Sequence, residues 1–301
     1  MSRIQDILSK AEREGAVRHT HTPNAPPPEA SPPGAAAPSR RRIERTPLRE
    51  ARPLPETLRE IAPGALDPLL VAALAPHSLA AEQYRTLRTR IVMLEQGRGR
   101  RVLLVTSPAK GDGKSVTAAN LALTMAQDFN RKVVLVDADL RQPTVHALLG
   151  IPQEPGVVDV LGGRAALEDA LVQLPDVQLA VVPAGLAPEQ PAELLGSVGM
   201  RRLLEALRSR FDRVIVDVPP VIPLADVGVV APQCDGVLLV VRAGATPKPL
   251  IERALATFDA ERLLGVVLND SGGADPDYGY EYSYAQGQNG ATAAAPAAER
   301  Q

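Results

Sequence analysis

Between residues 102 and 117 the sequence reads V-L-L-V-T-S-P-A-K-G-D-G-K-S-V-T: an apolar run, a glycine-containing turn, then a helix-like pattern. That order suits the holding of phosphate. Gly111 and Gly113 let backbone N–H groups approach an anion with no Cβ in the way, and the helix that follows adds the positive end of its dipole. Lys114 is placed to reach the β- and γ-phosphates of a nucleotide, and Ser115 carries a hydroxyl that helps hold Mg2+. The expected ATP-binding set is Lys110, Gly111, Asp112, Gly113, Lys114, Ser115 and Val116. Pro108 stands where the first glycine of a G-x-x-x-x-G-K-S loop falls. The flanking strand and helix patterns favour a phosphate loop over a surface turn that happens to carry a lysine.

Two further apolar runs end in carboxylates. V-V-L-V-D-A-D-L-R sets Asp137, Asp139 and Arg141 at the end of one, and V-I-V-D-V-P-P sets Asp217 at the end of another. In open α/β sheets ligands sit at the carboxyl ends of strands. One aspartate in such a place is more often a helix cap or a turn residue. Three of them beside a phosphate loop suit phosphoryl transfer, which needs charge neutralised and a base near the attacking oxygen. If the strand continues past Asp137, Asp137 and Asp139 share a side of it.

The elements that must position these groups can be read as well. Apolar runs at 102–106, 133–137, 179–183, 214–218, 236–241 and 265–269 are apolar throughout rather than alternating, as for strands covered on both faces. Helical patterns at 115–128, 191–209 and 247–258 separate several of them. This rhythm predicts an α/β fold with a doubly wound, mostly parallel sheet, a P-loop NTPase domain over 78–271. Residues 1–15 have the spacing of a short amphipathic helix, with Ile4, Ile7, Leu8 and Ala11 on one side. Residues 16–77, rich in Pro, Ala and Arg, read as a linker, and 272–301 as a flexible tail.

Composition narrows the class. A formal net charge of -2 over 301 residues gives no global argument for nucleic acid as a partner. The single cysteine, Cys234, cannot build a disulfide framework, which suits a reducing cytosol. The four histidines show no zinc-type spacing. No stretch reaches the roughly 18 to 20 apolar residues of a membrane-spanning helix, and the N-terminus has no signal-peptide core. The expectation is a cytoplasmic chain that meets a membrane only peripherally or through a partner.

Tyr278, Tyr280, Tyr282 and Tyr284 are four of the five tyrosines. Their alternation would suit an aromatic edge strand, but Gly, Asp, Gln and Asn flank them and no apolar residues interleave. A segment offering hydroxyls to a neighbouring active site fits better. Each phosphotyrosine adds about −1.5 to −2 charges, so four add roughly −6 to −8. That exceeds the formal charge of the chain. On the helical stretch 78–95, Glu82, Arg85 and Arg88 share a face at i, i+3, i+6 spacing.

The loop, D-A-D-L-R and V-D-V-P-P, in this order, resemble the Walker A, A′ and B motifs of bacterial tyrosine kinases (BY-kinases). P-A-E-L-L-G-S at 191–197, E-Q-Y-R-T-L-R at 82–88 and the cluster Y-G-Y-E-Y-S-Y are similar to further pieces of that family. The likeness covers about residues 78–284. The opening M-S-R-I-Q-D-I-L-S-K-A-E-R-E resembles kinases found with exosortase-linked exopolysaccharide clusters. Two positions depart from the family: Lys110 replaces its usual proline, and Val218 removes the hydroxyl of D-T-P-P or D-S-P-P.

The resemblance implies an ATP-dependent protein-tyrosine autokinase serving polysaccharide polymerisation and export. Lys114 would then bind phosphate, Ser115, Asp137 and Asp217 would hold Mg2+, and Asp139 would be the base for the tyrosine hydroxyl, with Asp137 able to exchange roles. Arg141 would orient phosphate or contact a neighbour. Glu82, Arg85 and Arg88 would join subunits of a homo-oligomer, and the four tail tyrosines would be acceptors. The implied partners are a membrane-embedded chain-length determinant (polysaccharide co-polymerase) as activator and a cognate phosphatase. A ParA/MinD-like positioning ATPase is the first rival, but Ala109 stands where that group has its signature lysine. A non-catalytic ATP-binding regulator of polysaccharide assembly is the second.

Overall fold

The computed structural model describes residues 58–271, apart from residues 62, 95–98, 100, 128–130, 176–177 and 224. The tail tyrosines and the stretch 1–15 lie outside the described residues. Eight strands form one sheet: β1 (Arg59–Glu60), β2 (Val102–Thr106), β3 (Val133–Asp137), β4 (Val172–Leu174), β5 (Leu179–Val182), β6 (Arg213–Asp217), β7 (Gly236–Arg242) and β8 (Leu263–Asn269). Their spatial order is β1-β4-β5-β3-β6-β2-β7-β8. Every pairing is parallel except β4 with β5. The mostly parallel, doubly wound sheet expected from the sequence is therefore present, and all six apolar runs are strands of it.

The central strands are buried along their whole length because helices cover both faces. Successive side chains point to opposite sides. Val102, Leu104, Val134, Val136, Val214 and Val216 face one core layer, with Met200, Leu203 and Leu207 of α8 (Val198–Arg210) and Val227 of α9 (Asp226–Val230). Leu103, Val105, Leu135 and Ile215 face the other, with Ala118, Leu121 and Ala122 of α3 (Lys114–Ala126) and Ile91 of α2 (Leu79–Leu94). Among the described residues no helix is long and apolar enough to cross a membrane.

Two differences from the sequence reading have physical causes. The helical stretch 191–209 is two helices, α7 (Pro191–Leu195) and α8, because Gly196 ends the first and Ser197 caps the second by accepting from Met200 N at 3.3 Å. Ordered structure also begins well before residue 78. Within the stretch read as linker, β1 pairs with β4, and α1 (Val71–Leu74) follows Leu70, whose exposure is 0 %. This segment is held from a distance. Asn120 of α3 accepts from Ala72 N (2.9 Å) and donates to Leu69 O (2.9 Å), while Gln127 donates to Ala72 O (3.0 Å). Asp67 N bonds Leu148 O, at the end of α4 (Val145–Leu148). Local composition carried no sign of partners some 50 residues away.

Candidate active site

The order β3-β6-β2 brings three strand ends side by side, and in register Asp137 pairs with Asp217 while Val105 also lies opposite Asp217. From β2 the chain enters the loop 107–113 and turns into α3 at Lys114. Gly111 and Gly113 both have φ of +90°, the left-handed region that glycine enters without strain. At Gly113 space is a second reason, since a Cβ there would collide with the Asn269 side chain. Because the first four N–H groups of a helix have no intrahelical acceptor, the start of α3 offers those of Lys114, Ser115 and Val116.

Asp112 is turned into the fold. Its carboxylate accepts from Ala109 N (2.9 Å) and Thr246 Oγ1 (2.8 Å), and its carbonyl accepts from Asn269 Nδ2 (2.9 Å). Burial raises its pKa above the ordinary carboxylate value. The loop is thus pinned close to the start of α3 by groups that follow β7 and end β8. Lys110, by contrast, is exposed on the rim, and the Val116 side chain packs against the core layer under α3.

Lys114 Nζ lies 2.8 Å from Asp139 Oδ2, 3.4 Å from Asp217 Oδ1 and 3.0 Å from Ser115 Oγ. Ser115 Oγ donates to Asp217 Oδ2 at 2.5 Å. Asp137 spends its two oxygens on backbone, accepting from Asp139 N (3.1 Å) and Val145 N (3.1 Å). β3 ends at Asp137, so Asp139 sits in the following turn, with Oδ1 accepting from Gln142 N (3.0 Å). Asp137 and Asp139 reach the same site, but through a turn rather than along a continued strand.

Electrostatically the cluster sets three buried carboxylates against one ammonium. Burial, then the charge of Asp217, holds the Asp137 carboxyl well above its usual range, and burial raises Asp217 against the pull of Lys114. Burial disfavours the Lys114 cation, yet Asp217 and Asp139 outweigh it and its pKa is raised. An excess of buried negative charge beside a hydroxyl is the environment a hard dication suits. Mg2+ takes few protein ligands, usually one or two carboxylates with phosphate oxygens and water. Among the described residues no group of three or more His, Cys, Asp or Glu side chains has metal-binding geometry. The residues present fit Mg2+ held together with a nucleotide: Ser115 and Asp217 would be its protein donors, while both Asp137 oxygens are engaged by backbone N–H groups.

Other expected residues are placed as follows. Arg141 Nε donates to Asp226 Oδ2 (2.8 Å) and Nη2 to Asp226 Oδ1 (3.3 Å). On α2, Arg85 Nε pairs with Glu82 (2.7 Å) and Nη1 donates to Pro76 O (2.8 Å), while Arg88 Nη1 donates to Thr124 O (3.0 Å) near the end of α3. Thr246, Asn269 and Asp226 escaped the sequence reading. Asn269 alone left a trace, as a polar residue closing an apolar run.

A family model described as an AAA domain matches residues 101–246. The chain is 38% identical over 215 residues to the tyrosine-protein kinase YwqD of Bacillus subtilis (strain 168), covering 70% of this chain and 90% of that one. It is 32% identical to the tyrosine-protein kinase Wzc of Salmonella typhi, covering 71% of this chain but 31% of Wzc. The kinase domain of the Escherichia coli tyrosine kinase ETK superposes with a TM-score of 0.66 at 29% identity, over 70% of this chain and 83% of that one. With a phosphate loop, buried strand-end carboxylates and a near full-length match to YwqD, the chain belongs to the bacterial tyrosine-protein kinases.

Proposed function

We propose that the chain moves the γ-phosphoryl group of Mg·ATP onto tyrosine hydroxyls, including those of its own tail, and that this controls polysaccharide polymerisation and export. The observation that carries the reading is the contact of Lys114 Nζ with both Asp139 and Asp217, next to the Ser115–Asp217 hydrogen bond. A phosphate-binding cation, a metal-binding hydroxyl and candidate bases meet at one buried point.

In this reading the loop amides and Lys114 hold the β- and γ-phosphates, and Ser115 and Asp217 hold the metal. Asp137 supports it through the turn that its two backbone hydrogen bonds close. Asp139 accepts the tyrosine proton through Oδ2, which is paired with Lys114 here and is released when Lys114 turns to the phosphates. The phenolic oxygen bonds to the γ-phosphorus as the bond to the β-γ bridging oxygen breaks, and ADP leaves. Bound Mg2+ would neutralise charge on the phosphate oxygens.

Tyr278, Tyr280, Tyr282 and Tyr284 are the proposed acceptors, and a second copy of the chain the enzyme that reaches them. Family resemblance supports a membrane-embedded chain-length determinant as activator, a cognate phosphatase, and a place at the inner membrane through that partner. The test is incubation with radiolabelled ATP, with and without a cytoplasmic segment of the candidate activator, followed by phosphosite mapping. Label on the tail tyrosines is expected. ATP bound with no label under either condition would make the chain a non-catalytic regulator.

A further inference from the structure

We infer that Asp226 is a positioning residue for phosphoryl transfer, which grips Arg141 and so fixes the turn that presents Asp139 to Lys114. The inference rests on the kinase reading above.

The turn from Asp137 to Val145 is organised around three side chains. Asp137 accepts from the N–H groups of Asp139 and Val145, and Asp139 accepts from that of Gln142. These bonds are internal to the turn. Arg141, midway along it, reaches outward and is held by two hydrogen bonds to Asp226, at 2.8 and 3.3 Å. Asp226 has 0 % exposure, whereas the Arg141 side chain is 37 % exposed. Its carboxylate is therefore the fixed member of the pair, and the guanidinium is the group that would move without it. Planar, two-pronged contact also sets orientation in a way one hydrogen bond does not.

Asp226 opens α9, which follows the loop leaving β6. That loop is itself tied down, since Thr106 Oγ1 donates to Pro219 O (2.7 Å) and Val221 N to Ser107 O (2.8 Å). The Arg141–Asp226 pair thus joins the turn after β3, which carries Asp139, to the start of α9, at the far end of the loop that leaves β6 at Asp217. Lys114 Nζ sits between those carboxylates; Ala138 N already ties the start of the turn to Asp217 O (2.8 Å), and the pair adds the hold on its far half, beyond Asp139. Catalysis tolerates little error there: a misplacement near 1 Å can cost about 100-fold in rate.

The test compares full-length parent, Asp226→Asn, Asp226→Glu, Arg141→Gln and the Asp226→Asn/Arg141→Gln double variant. It reads the rate of self-labelling at saturating ATP, and separately the ATP Kd by titration without turnover. Asp226→Asn should cut the saturated rate about 10- to 100-fold. ATP affinity should stay within about 2-fold, because the loop contacts at Asp112 are separate from the pair. The double variant should be no slower than the slower single variant, since both remove one shared interaction. A parent-like rate in Asp226→Asn, an ATP affinity that falls in step with the rate, or losses that multiply in the double variant would each overturn the inference. Thermal unfolding shows which variants are folded. If Asp226→Asn is not, Asp226→Glu decides, with a slower rate at unchanged ATP affinity supporting the inference and a parent-like rate refuting it. A parent that does not label at all would instead refute the kinase reading.

Discussion

Ser115 Oγ donates a 2.5 Å hydrogen bond to Asp217 Oδ2, joining the first turn of α3 to the last residue of β6. Residues 102 positions apart in sequence thereby share one contact beneath Lys114, which touches both. Lys114 is the cation in that cluster, so Lys114→Met should abolish self-labelling. A lost preorganised charge contact commonly costs about 100-fold or more in rate. Purified Lys114→Met that labels as fast as the parent would refute the loop assignment.

Phosphorylation should fall on Tyr278, Tyr280, Tyr282 and Tyr284 and should pass between subunits. Mixing a Lys114→Met chain that keeps its tyrosines with an active chain whose four tail tyrosines are Phe should place label on the inactive chain. If the inactive chain stays unlabelled while the parent labels itself, transfer is within one subunit. Label on Tyr84 or on serine would remove the tail from the acceptor role.

Alanine at Glu82, Arg85 and Arg88 together should lower the mass seen by light scattering at matched concentration. The Glu82–Arg85 pair is partly exposed and adds little to stability. Arg88 differs, because its bond to Thr124 O ties α2 to α3. The triple variant should therefore unfold at slightly lower urea, by about 1 kcal/mol, while remaining folded in buffer. An unchanged mass would make these residues a bracket within one subunit and nothing more.

Leu70→Ala should cost about 2–5 kcal/mol, as for other fully buried leucines. Asn120→Ala should cost about 1–3 kcal/mol by stranding Ala72 N and Leu69 O. Urea unfolding monitored by far-UV circular dichroism measures both. Parent-like midpoints would mean that the segment 58–77 is only loosely laid against α3.

Cys234 should resist thiol reagents until the protein unfolds. Burial, helped by the nearby Asp235 charge, pushes its pKa up to about 12. At pH 8 the thiolate, the reactive form, is then about one part in ten thousand of the population. The sign for stability follows: the unfolded thiol ionises near its ordinary value of 9.0 and the folded one near 12, so stability drains away as pH rises through that interval. Iodoacetamide labelling at pH 8, with and without urea, checks this, and rapid labelling in buffer would contradict the burial.

The sequence exposed those parts of the molecule whose signal is local. Six strands of V, L, I and A, a turn with Gly111 and Gly113, and aspartates closing two of the strands each declare themselves within a few residues. What stayed hidden depends on partners far along the chain. β4 is three residues long and runs antiparallel to β5, so no apolar run marks it. Residues 58–77 look like linker because their anchors, Asn120 in α3 and Gln127 just past its end, lie far along the chain. Asp226 looks like any helix-starting aspartate until Arg141 arrives from the loop after β3. The direct hydrogen bonding of Asp137 to backbone was equally unreadable, since it requires the turn to be closed.

The phosphate loop is pinned at Asp112 by Thr246 and Asn269, which lie 134 and 157 residues further along the chain. A growing chain on the ribosome therefore carries Lys114 long before it carries the groups that set the loop's shape. The nucleotide pocket is completed only when β8 has emerged, almost at the end of the folded unit. Fragments stopping after α8 hold the phosphate loop and D-A-D-L-R but lack V-D-V-P-P and both pins. The shape of the loop is thus set from both ends of the folded unit, and a chain cut before the end of β8 lacks the side chain that fills the space beside Gly113.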